Sequence, residues 1–251
     1  MELDLNGRTA LVTGASKGIG RETVRMLALE GVRVAAAARD IAQLRELANE
    51  VSLLGGAPVM PIGIDLAEPG SPEKLAALAN AGLGTIDILV NAAGGSQPIA
   101  FDADHRIWED AMALNFFRVR ELTHALVPAM RARRFGRVIS FTGMSEPTMI
   151  NATFSAKAAL HVWAKSISRE VGPDGVTVNC IKPGTIHSAQ MKRFFPTPES
   201  EADFSRKFVP VNRFGEPREI ASLAVFLASP NAAYITGAVI PVDGGYSHFA
   251  F

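Results

Sequence analysis

Short apolar runs alternate with longer amphipathic segments along most of this chain. Polar and apolar residues do not alternate within the apolar runs, so these runs predict strands that are buried on both faces. Between them, apolar residues recur at helical spacing, as Leu44, Leu47 and Val51 do. The predicted strands are residues 9–12, 32–38, 57–64, 86–90, 137–141, 176–181 and 239–242. The predicted helices are residues 21–27, 40–52, 72–83, 104–134, 151–171 and 217–228.

Regular alternation of strands and helices predicts right-handed crossovers and a parallel sheet with helices on both faces. No linker or shift in composition divides the chain. We therefore predict an α/β fold with one doubly wound, mostly parallel, seven-stranded sheet in a single domain, residues 1–251. Residues 184–213 interrupt the pattern with prolines and charged residues. We predict an irregular insert there, which is either a lid over a ligand crevice or a solvated loop.

Composition narrows the classes of function. The chain has 25 basic and 25 acidic residues, so its zero net charge gives no electrostatic reason to expect nucleic-acid or membrane partners. A single cysteine, Cys180, excludes an internal disulfide and fits a reducing compartment. The sequence has neither an apolar run of about 18 residues nor a signal-peptide pattern, and we expect a cytoplasmic protein.

Glycines dominate the turn between the first predicted strand and the first predicted helix, where residues 13–20 read TGASKGIG. Gly14, Gly18 and Gly20 suit a tight turn with unusual backbone angles, close approach of a phosphate and a helix that lies close to the sheet. The free N–H groups and the dipole at the helix N-terminus favour an anion. The pattern therefore predicts a site for the pyrophosphate of a dinucleotide.

Further motifs follow this turn in a characteristic order. They are Asp65-Leu66, Asn91-Ala92-Ala93-Gly94, Asn115, Lys157, Pro183-Gly184 and Val242-Asp243-Gly244-Gly245. Together with the glycine turn, they resemble the short-chain dehydrogenase/reductase family across essentially the whole chain. The resemblance implies a Rossmann fold, NAD or NADP as cofactor, a small-molecule substrate, and a homodimer or homotetramer formed through the helices at residues 104–134 and 151–171.

The resemblance also implies a role for each motif. Lys157 would hold the hydroxyls of the nicotinamide ribose, and Asn115 would anchor a water in a proton relay. Asp65 would contact the adenine, and residues 183–186 would contact the carboxamide. The candidate cofactor-binding residues are Gly14, Ser16, Lys17, Gly18, Ile19, Gly20, Arg39, Asp65, Leu66, Asn91, Ala92, Gly94, Lys157, Pro183, Gly184 and Ile186. The candidate catalytic residues are Asn115, Lys157, Thr153 and Thr142.

The end of the second predicted strand bears on the choice between NAD and NADP. An acidic residue there would bind the ribose 2′-hydroxyl of NAD, but the chain has Ala38 followed by Arg39. Arg39 and Lys17 offer positive charge to a 2′-phosphate instead. Asp40, the next residue, is acidic and would favour NAD, but we assign it to capping the next helix. We predict NADP, with NAD left open because Arg39 can also stack on adenine.

The chain departs from the family at its two catalytic positions. The family's tyrosine, four residues before the lysine, is Thr153 here, and its serine is Gly143, which Thr142 and Ser145 flank. A phenol titrates, and a neighbouring lysine lowers its pKa, whereas a threonine hydroxyl does not titrate in this range. Thr153 or Thr142 can still bond a substrate oxygen or pass on a proton.

Three consequences of these departures stay open. Another acid can serve, such as His187 or His161, because imidazole titrates near neutral pH. Alternatively, the substrate needs little acid help, as an imine does. The third alternative is an NADP-binding pseudoenzyme that acts as a sensor or an oligomer subunit. Tyr234 and Tyr246 both adjoin turns that we interpret as structural, and we expect neither to replace the missing phenol.

A partly hydrophobic substrate is expected, because large apolar residues surround the predicted site in the sequence. They are Phe101, Met144, Met149, Met191, Phe194 and Phe195. Core packing explains most of these residues equally well, so the substrate itself is not predicted.

Overall fold

The sheet is built around β1 (Thr9–Thr13), all five of whose residues are buried. The other strands are β2 (Arg33–Ala38), β3 (Val59–Gly63), β4 (Ile88–Asn91), β5 (Gly136–Phe141), β6 (Val176–Pro183) and β7 (Val239–Val242). The computed structural model describes residues 2–95, 98–143, 146–147 and 149–248, and over these ranges the strands form one sheet in the order β3-β2-β1-β4-β5-β6-β7. Every strand pair in that sheet is parallel. The predicted α/β fold is confirmed, and the sheet is parallel throughout rather than mostly parallel.

Helices cover both faces of this sheet. They are α1 (Gly18–Leu29), α2 (Ile41–Leu53), α3 (Ser71–Leu83), α4 (His105–Met112), α5 (Arg118–Ala132), α6 (Ala152–Val171), α7 (Met191–Phe194), α8 (Pro198–Phe208) and α9 (Pro217–Ala228). The helical stretch predicted over residues 104–134 is observed, with a π-helical turn at Ala113–Phe117 that joins α4 to α5. Among the described helices, none is long and apolar enough to cross a lipid bilayer.

The core has two layers, because successive residues of a strand point to opposite faces of the sheet. The layer on the side of α1 and α9 includes Ala10, Val12, Val24, Leu27, Ile220 and Val225. The layer on the side of α3 and α5 includes Leu11, Leu75, Ala79, Leu122 and Leu126. Each fully buried leucine or valine side chain contributes about 1.5–3 kcal/mol. These two layers fix the positions of the strand ends from which the site is built.

The strand order reverses between β1 and β4, which lie side by side with Val12 opposite Val90. The connections from the two strands run in opposite directions, so a crevice opens at their carboxyl ends. Open parallel sheets bind their ligands at such a switch point. The glycine turn follows β1, and residues 91–94 close and follow β4, so both predicted motifs lie at this crevice.

Residues 184–213 are not the irregular insert that the sequence pattern predicts, because they contain α7 and α8. Helix α8 begins with a capping box between Thr197 and Ser200, and Pro198 occupies its first position, where no helical amide bond is lost. Phe204 of α8 packs against Phe195, with ring centroids 4.8 Å apart. The segment is a folded, two-helix structure with aromatic contacts of its own.

Candidate active site

The glycine turn packs at backbone distance against the loop that follows β4. Gly14 has a φ of +63°, and a Cβ on it would lie 2.6 Å from the carbonyl oxygen of Ala92. A Cβ on Gly20 would overlap the carbonyl oxygen of Gly14. The Thr13 hydroxyl accepts hydrogen bonds from the amides of Ala92 and Ala93, both at 3.1 Å. Only glycine allows this contact, which leaves the mouth of α1 open beside the loop.

Helix α1 begins without a side-chain cap. Its N-cap residue Lys17 has extended backbone angles and makes no capping hydrogen bond, and the first turn contains no acidic side chain. The first amides of the helix and the positive end of its dipole are therefore not neutralised by a capping side chain. Ser16 is partly buried in the turn, and Ile19 lines the adjoining cleft. An anionic group such as a pyrophosphate suits this helix end.

The end of β2 presents an exposed cation, Arg39. Within the described residues, exposed Arg39 makes no hydrogen bond or ion pair. Asp40 caps α2 and accepts hydrogen bonds from the amides of Ala42 at 3.1 Å and Gln43 at 3.2 Å. The hydrogen bonds from Gln43 lower the pKa of Asp40. Asp40 is thus committed to the helix cap, as the sequence predicts, and Arg39 is left for a ligand.

Asp65 follows β3 at the same edge of the sheet. Its carboxylate accepts a hydrogen bond from the amide of Ala67 at 2.9 Å, so it also caps a turn. Leu66 is buried and belongs to the apolar layer on the side of α3. Asp65 is only partly buried, and it keeps acceptor capacity for a ligand beyond the one bond it accepts.

Gly94 brings three predicted residues together. A Cβ at Gly94 would lie 2.7 Å from Oδ1 of Asn115 and 3.3 Å from Nζ of Lys157. The loop after β4, the π-helical turn and α6 therefore meet at one point. Asn91 lies buried at the end of β4, where its Nδ2 donates to the hydroxyl of Ser140 at 3.3 Å.

The π-helical turn leaves Asn115 with an unused acceptor. Its Nδ2 donates to the carbonyl oxygen of Ala111 at 2.9 Å. Its Oδ1 is buried and has no hydrogen-bond partner in the part of the chain that the structure describes. An unpaired buried polar atom costs about 1–3 kcal/mol, and π-helical turns occur frequently at functional sites. Oδ1 is therefore available to a water or a ligand at the point where Gly94 and Lys157 meet.

Lys157 reaches this point from α6. Its Nζ donates to the carbonyl oxygen of Phe141 at 3.0 Å. Burial lowers the pKa of Lys157 to about 8, with a smaller opposite effect from Cys180. The side chain is therefore mostly an ammonium at neutral pH, and it loses its charge in the mildly alkaline range.

The two candidate threonines are buried, and both donate their hydroxyl protons to the backbone. Thr153 Oγ1 donates to the carbonyl oxygen of Gly95 at 3.0 Å. Thr142 Oγ1 donates to the carbonyl oxygen of Ile181 at 3.2 Å and lies 2.9 Å from Nε2 of His161. Burial lowers the pKa of His161, which favours a neutral ring that donates to Thr142. Each threonine can still accept a hydrogen bond from a substrate group.

The position of the family's serine has room for a side chain. A Cβ on Gly143 would lie 3.5 Å from the ring of Phe154 and 3.7 Å from Cδ of Lys157. These are ordinary van der Waals distances, so the glycine is not required by packing. Ser145, which the sequence places next to this position, lies outside the described residues.

These elements open onto a cleft of about 450 Å³. The predicted site residues that line it are Ile19, Gly94, Thr142, Thr153, Lys157, Pro183, Gly184 and Ile186. The other predicted cofactor residues follow the carboxyl ends of β1 to β4 without lining the cleft. They are Gly14, Ser16, Lys17, Gly18, Gly20, Arg39, Asp65, Leu66, Asn91 and Ala92. Asn115 borders the cleft through Gly94.

The apolar wall of the cleft agrees only in part with the sequence prediction. Met149, Met191, Phe194 and Phe195 line it as expected. Phe101 does not line it, because its side chain is 90% exposed, and Met144 lies outside the described residues.

Sequence reasoning also missed several residues of the wall, notably Phe154, Phe204 and Tyr246. The sequence does not predict a role for Tyr246, although its position after a double glycine at the carboxyl edge of the sheet is a signal for one. Tyr234 is fully exposed, as a surface turn requires.

His187, a candidate acid in the sequence, lies between two carboxylates. Its Nδ1 is 2.7 Å from Glu216 and its Nε2 is 2.7 Å from Glu201 of α8. Carboxylates only accept hydrogen bonds, so both ring nitrogens donate and the ring is an imidazolium. Burial opposes this charge, but the bonds to Glu201 and then Glu216 outweigh it and raise the pKa of His187. The ring thus ties α8 to the start of α9.

We expect this tie to weaken as pH rises. A raised folded pKa stabilises the folded state fully below the ordinary histidine pKa of about 6.5, and the effect is lost as pH passes the folded value. Amide hydrogen exchange at residues 198–208, corrected for intrinsic rates, should be faster at pH 9 than at pH 6. His187→Gln should remove this difference. An equal pH dependence in the variant would assign it to another group.

Comparisons with known proteins agree with this architecture over the whole chain. The protein-family model described as Enoyl-(Acyl carrier protein) reductase matches residues 14–247. Galactitol 2-dehydrogenase (L-tagatose-forming) of Cereibacter sphaeroides is 34% identical over 249 residues, which are 97% of this chain and 96% of that protein. The 3-oxoacyl-[acyl-carrier-protein] reductase of Vibrio cholerae serotype O1 is 35% identical over 248 residues, 97% and 98% of the two chains. The solved L-sorbose reductase of Gluconobacter frateurii, complexed with NADPH and L-sorbose, superposes with a TM-score of 0.94 at 29% identity, covering 99% of this chain and 100% of that one.

Proposed function

Because this chain belongs to the short-chain dehydrogenase/reductase family, we propose that it is an NADPH-dependent oxidoreductase. It transfers a hydride between C4 of the nicotinamide and the carbon of a carbonyl, alcohol or imine. The observation that carries this proposal is the meeting of Gly94, Asn115 and Lys157 beside an apolar cleft. Within the described residues Oδ1 of Asn115 has no hydrogen-bond partner, and burying such an atom costs free energy, so its presence favours a water or ligand that pairs with it.

The residues along the crevice fit the adenosine half of NADPH. Gly14, Gly18 and Gly20 would receive the pyrophosphate at the uncapped end of α1, where a Cβ on Gly14 would fill the space between the loops. Arg39 and Lys17 would bind the 2′-phosphate, because exposed Arg39 makes no hydrogen bond or ion pair with any described residue. NADPH is also the nucleotide in the L-sorbose reductase complex.

The nicotinamide half would lie at the cleft. Lys157 would donate to the hydroxyls of its ribose, and residues 183–186 would contact the carboxamide. When bound, the reduced nicotinamide supplies the hydride. The Asn115 side chain would hold a water through its free Oδ1, and the Lys157 ammonium would stabilise negative charge that develops on the substrate oxygen. Thr153 would contact that oxygen, and the proton donor is not the usual tyrosine.

We also assign residues 184–213 as a lid. This segment supplies Met191, Phe194, Phe195 and Phe204 to the cleft wall, so its position controls access for a substrate. The apolar wall favours a medium-sized, partly hydrophobic substrate.

Two measurements on the purified protein test the proposed function together. NADPH oxidation is followed at 340 nm with a panel of carbonyl and imine acceptors, and thermal unfolding is followed while NADPH is titrated. Turnover with a rise in melting temperature supports the reductase. Stabilisation without turnover on any acceptor favours the alternative of a nucleotide-binding pseudoenzyme. If the protein shows neither stabilisation nor turnover, both functions are rejected.

Replacing Arg39 with alanine should change cofactor preference. Hydrogen bonds to a charged group contribute about 1.5–3 kcal/mol. Because Arg39 is exposed, we expect a loss of binding free energy at the lower end of this range, which raises the Kd of NADPH about tenfold. The Kd of NADH should not change, since NADH lacks the 2′-phosphate. Arg45→Ala removes an exposed arginine from α2 and serves as the control. An equal loss for both nucleotides would indicate adenine stacking instead.

We propose a homodimer or homotetramer, as the family resemblance implies. Large apolar side chains are exposed on the elements that would form the interface, namely Ile107 of α4, Phe117 of the π-helical turn and Val162 of α6. Light scattering coupled to size exclusion measures the mass directly, and a monomer at micromolar concentration would reject this assembly.

A further inference from the structure

Most hydroxyl and imidazole protons at the cleft are already donated to other protein atoms. The hydroxyls of Thr153 and Thr142 donate to backbone carbonyls. Both ring nitrogens of His187 donate to carboxylates, and the hydroxyl of Ser247 donates to Asp243 at 2.5 Å. None of these groups can protonate a substrate without breaking a bond that the folded chain makes.

The turn after β7 presents Tyr246 to the same cleft. Gly244 and Gly245 have φ values of +64° and +84°, and the amide of Tyr246 donates to the carbonyl oxygen of Asp243 at 3.2 Å. The carboxylate of Asp243 accepts hydrogen bonds from the amides of Gly245 and Ser247, both at 3.0 Å. The turn is therefore fixed from within, and it holds a phenol at the cleft wall.

The phenol of Tyr246 has a proton to give. Its hydroxyl makes no hydrogen bond within the part of the chain that the structure describes. Its ring lies 5.9 Å from the ring of Phe204, so one side is covered by α8. Burial and then the charge of Glu146 raise the pKa of Tyr246, and the phenol keeps its proton at neutral pH.

We propose that Tyr246 is a catalytic residue that donates its phenolic proton to the substrate oxygen. The inference rests on the reductase function proposed above. The hydride passes with its electron pair from C4 of the reduced nicotinamide to the carbonyl carbon, and the π pair of the carbonyl moves to oxygen. That oxygen takes the proton as the O–H bond of Tyr246 breaks, and water reprotonates the phenolate. The carbonyl becomes an alcohol, and the nicotinamide is oxidised.

Tyr246→Phe tests this role, because it removes one hydroxyl and keeps the ring that packs against Phe204. Two ketones, ethyl acetoacetate and 1-phenylpropane-1,2-dione, are compared with 9,10-phenanthrenequinone, whose carbonyls are already activated. For the ketones kcat should fall at least about tenfold, since water replaces the phenol only in part. The fall should be smaller for the quinone, and the Kd of NADPH should not change. Tyr234→Phe removes the exposed phenol as a matched control.

A second pair of variants separates proton donation from packing. Tyr246→His supplies another titratable donor and should recover part of the lost kcat, whereas Tyr246→Leu should not. An unchanged kcat with a raised KM in Tyr246→Phe would overturn the proposal, since Tyr246 would then only contact the substrate. Wild-type protein that binds NADPH but reduces none of these acceptors would instead contradict the reductase function itself, and the inference would be rejected with it.

Discussion

Lys157→Met is expected to lower kcat/KM for NADPH-dependent reduction by about 10²–10³-fold, the usual effect of removing one preorganised donor from a developing oxyanion. Methionine keeps the length and the apolar packing of the side chain, so the loss isolates the ammonium. The variant should also bind NADPH more weakly, because Lys157 would bond the nicotinamide ribose. Steady-state kinetics and a thermal-shift titration measure the two effects separately. Lys165→Met changes an exposed lysine on the same helix and is the matched control.

The same residue sets a pH limit on the wild-type protein. Burial lowers the pKa of Lys157 to about 8, so the ammonium is present below that value and lost above it. The wild-type kcat/KM should therefore fall as pH rises through about 8. The residual kcat/KM of Lys157→Met should not fall over this pH range. A variant with unchanged Kd for NADPH and unchanged kcat/KM would remove both assigned roles from Lys157.

The parts of this protein that the sequence predicts well are those fixed by neighbouring residues. All seven strands coincide with short apolar runs, which can be recognised without a distant partner, although the edge strands β3 and β7 are only partly buried. The glycine turn was found for a similar reason. The positive φ of Gly14 and the close approach of Gly20 to the Gly14 carbonyl are local constraints, whereas the contact of Gly14 with Ala92 cannot be read from the sequence.

The π-helical turn at Ala113–Phe117 was missed because it leaves the apolar pattern intact. A π-helical turn inserts one residue without ending the helix, so residues 104–134 still read as one amphipathic segment. The consequence is local, since Oδ1 of Asn115 is left without a hydrogen-bond partner among the residues that the structure describes. The resemblance to a family pointed to Asn115, but only the geometry explains how a mid-helix amide becomes available.

His187 and Tyr246 show the limit of reading a site from motif order. The sequence offered His187 as an acid, yet Glu201 and Glu216 come from two other elements and engage both of its nitrogens. The sequence predicts that Tyr246 belongs to a structural turn; the turn is structural, and it also places the ring at the cleft. In both cases one decisive partner, Glu201 for His187 and Phe204 for Tyr246, lies on α8, within the segment that the sequence predicts to be irregular.

Restoring the family's pair with Thr153→Tyr and Gly143→Ser is expected to raise kcat by up to about 10²-fold, because burial raises the pKa of Tyr246 and makes it a weaker proton donor than a phenol beside Lys157. The Lys157 ammonium, one helical turn away, would lower the pKa of the new phenol toward neutrality. A Cβ at Gly143 meets its nearest atom at 3.5 Å, so the serine fits. The double variant loses the bond from Thr153 to Gly95, about 1 kcal/mol. Stopped-flow absorbance at 340 nm measures the gain in the hydride-transfer step.

Thr153→Phe with Gly143→Ser is the matched control, because it places the same ring over Lys157 without the hydroxyl. A gain in both double variants would assign the effect to packing of the cleft rather than to the acid. A gain confined to the tyrosine variant would mean that nucleotide, lysine and substrate already stand in productive geometry. Since a proton donor only accelerates a hydride transfer that positioning has made possible, such a gain would also distinguish a slow reductase from a pseudoenzyme.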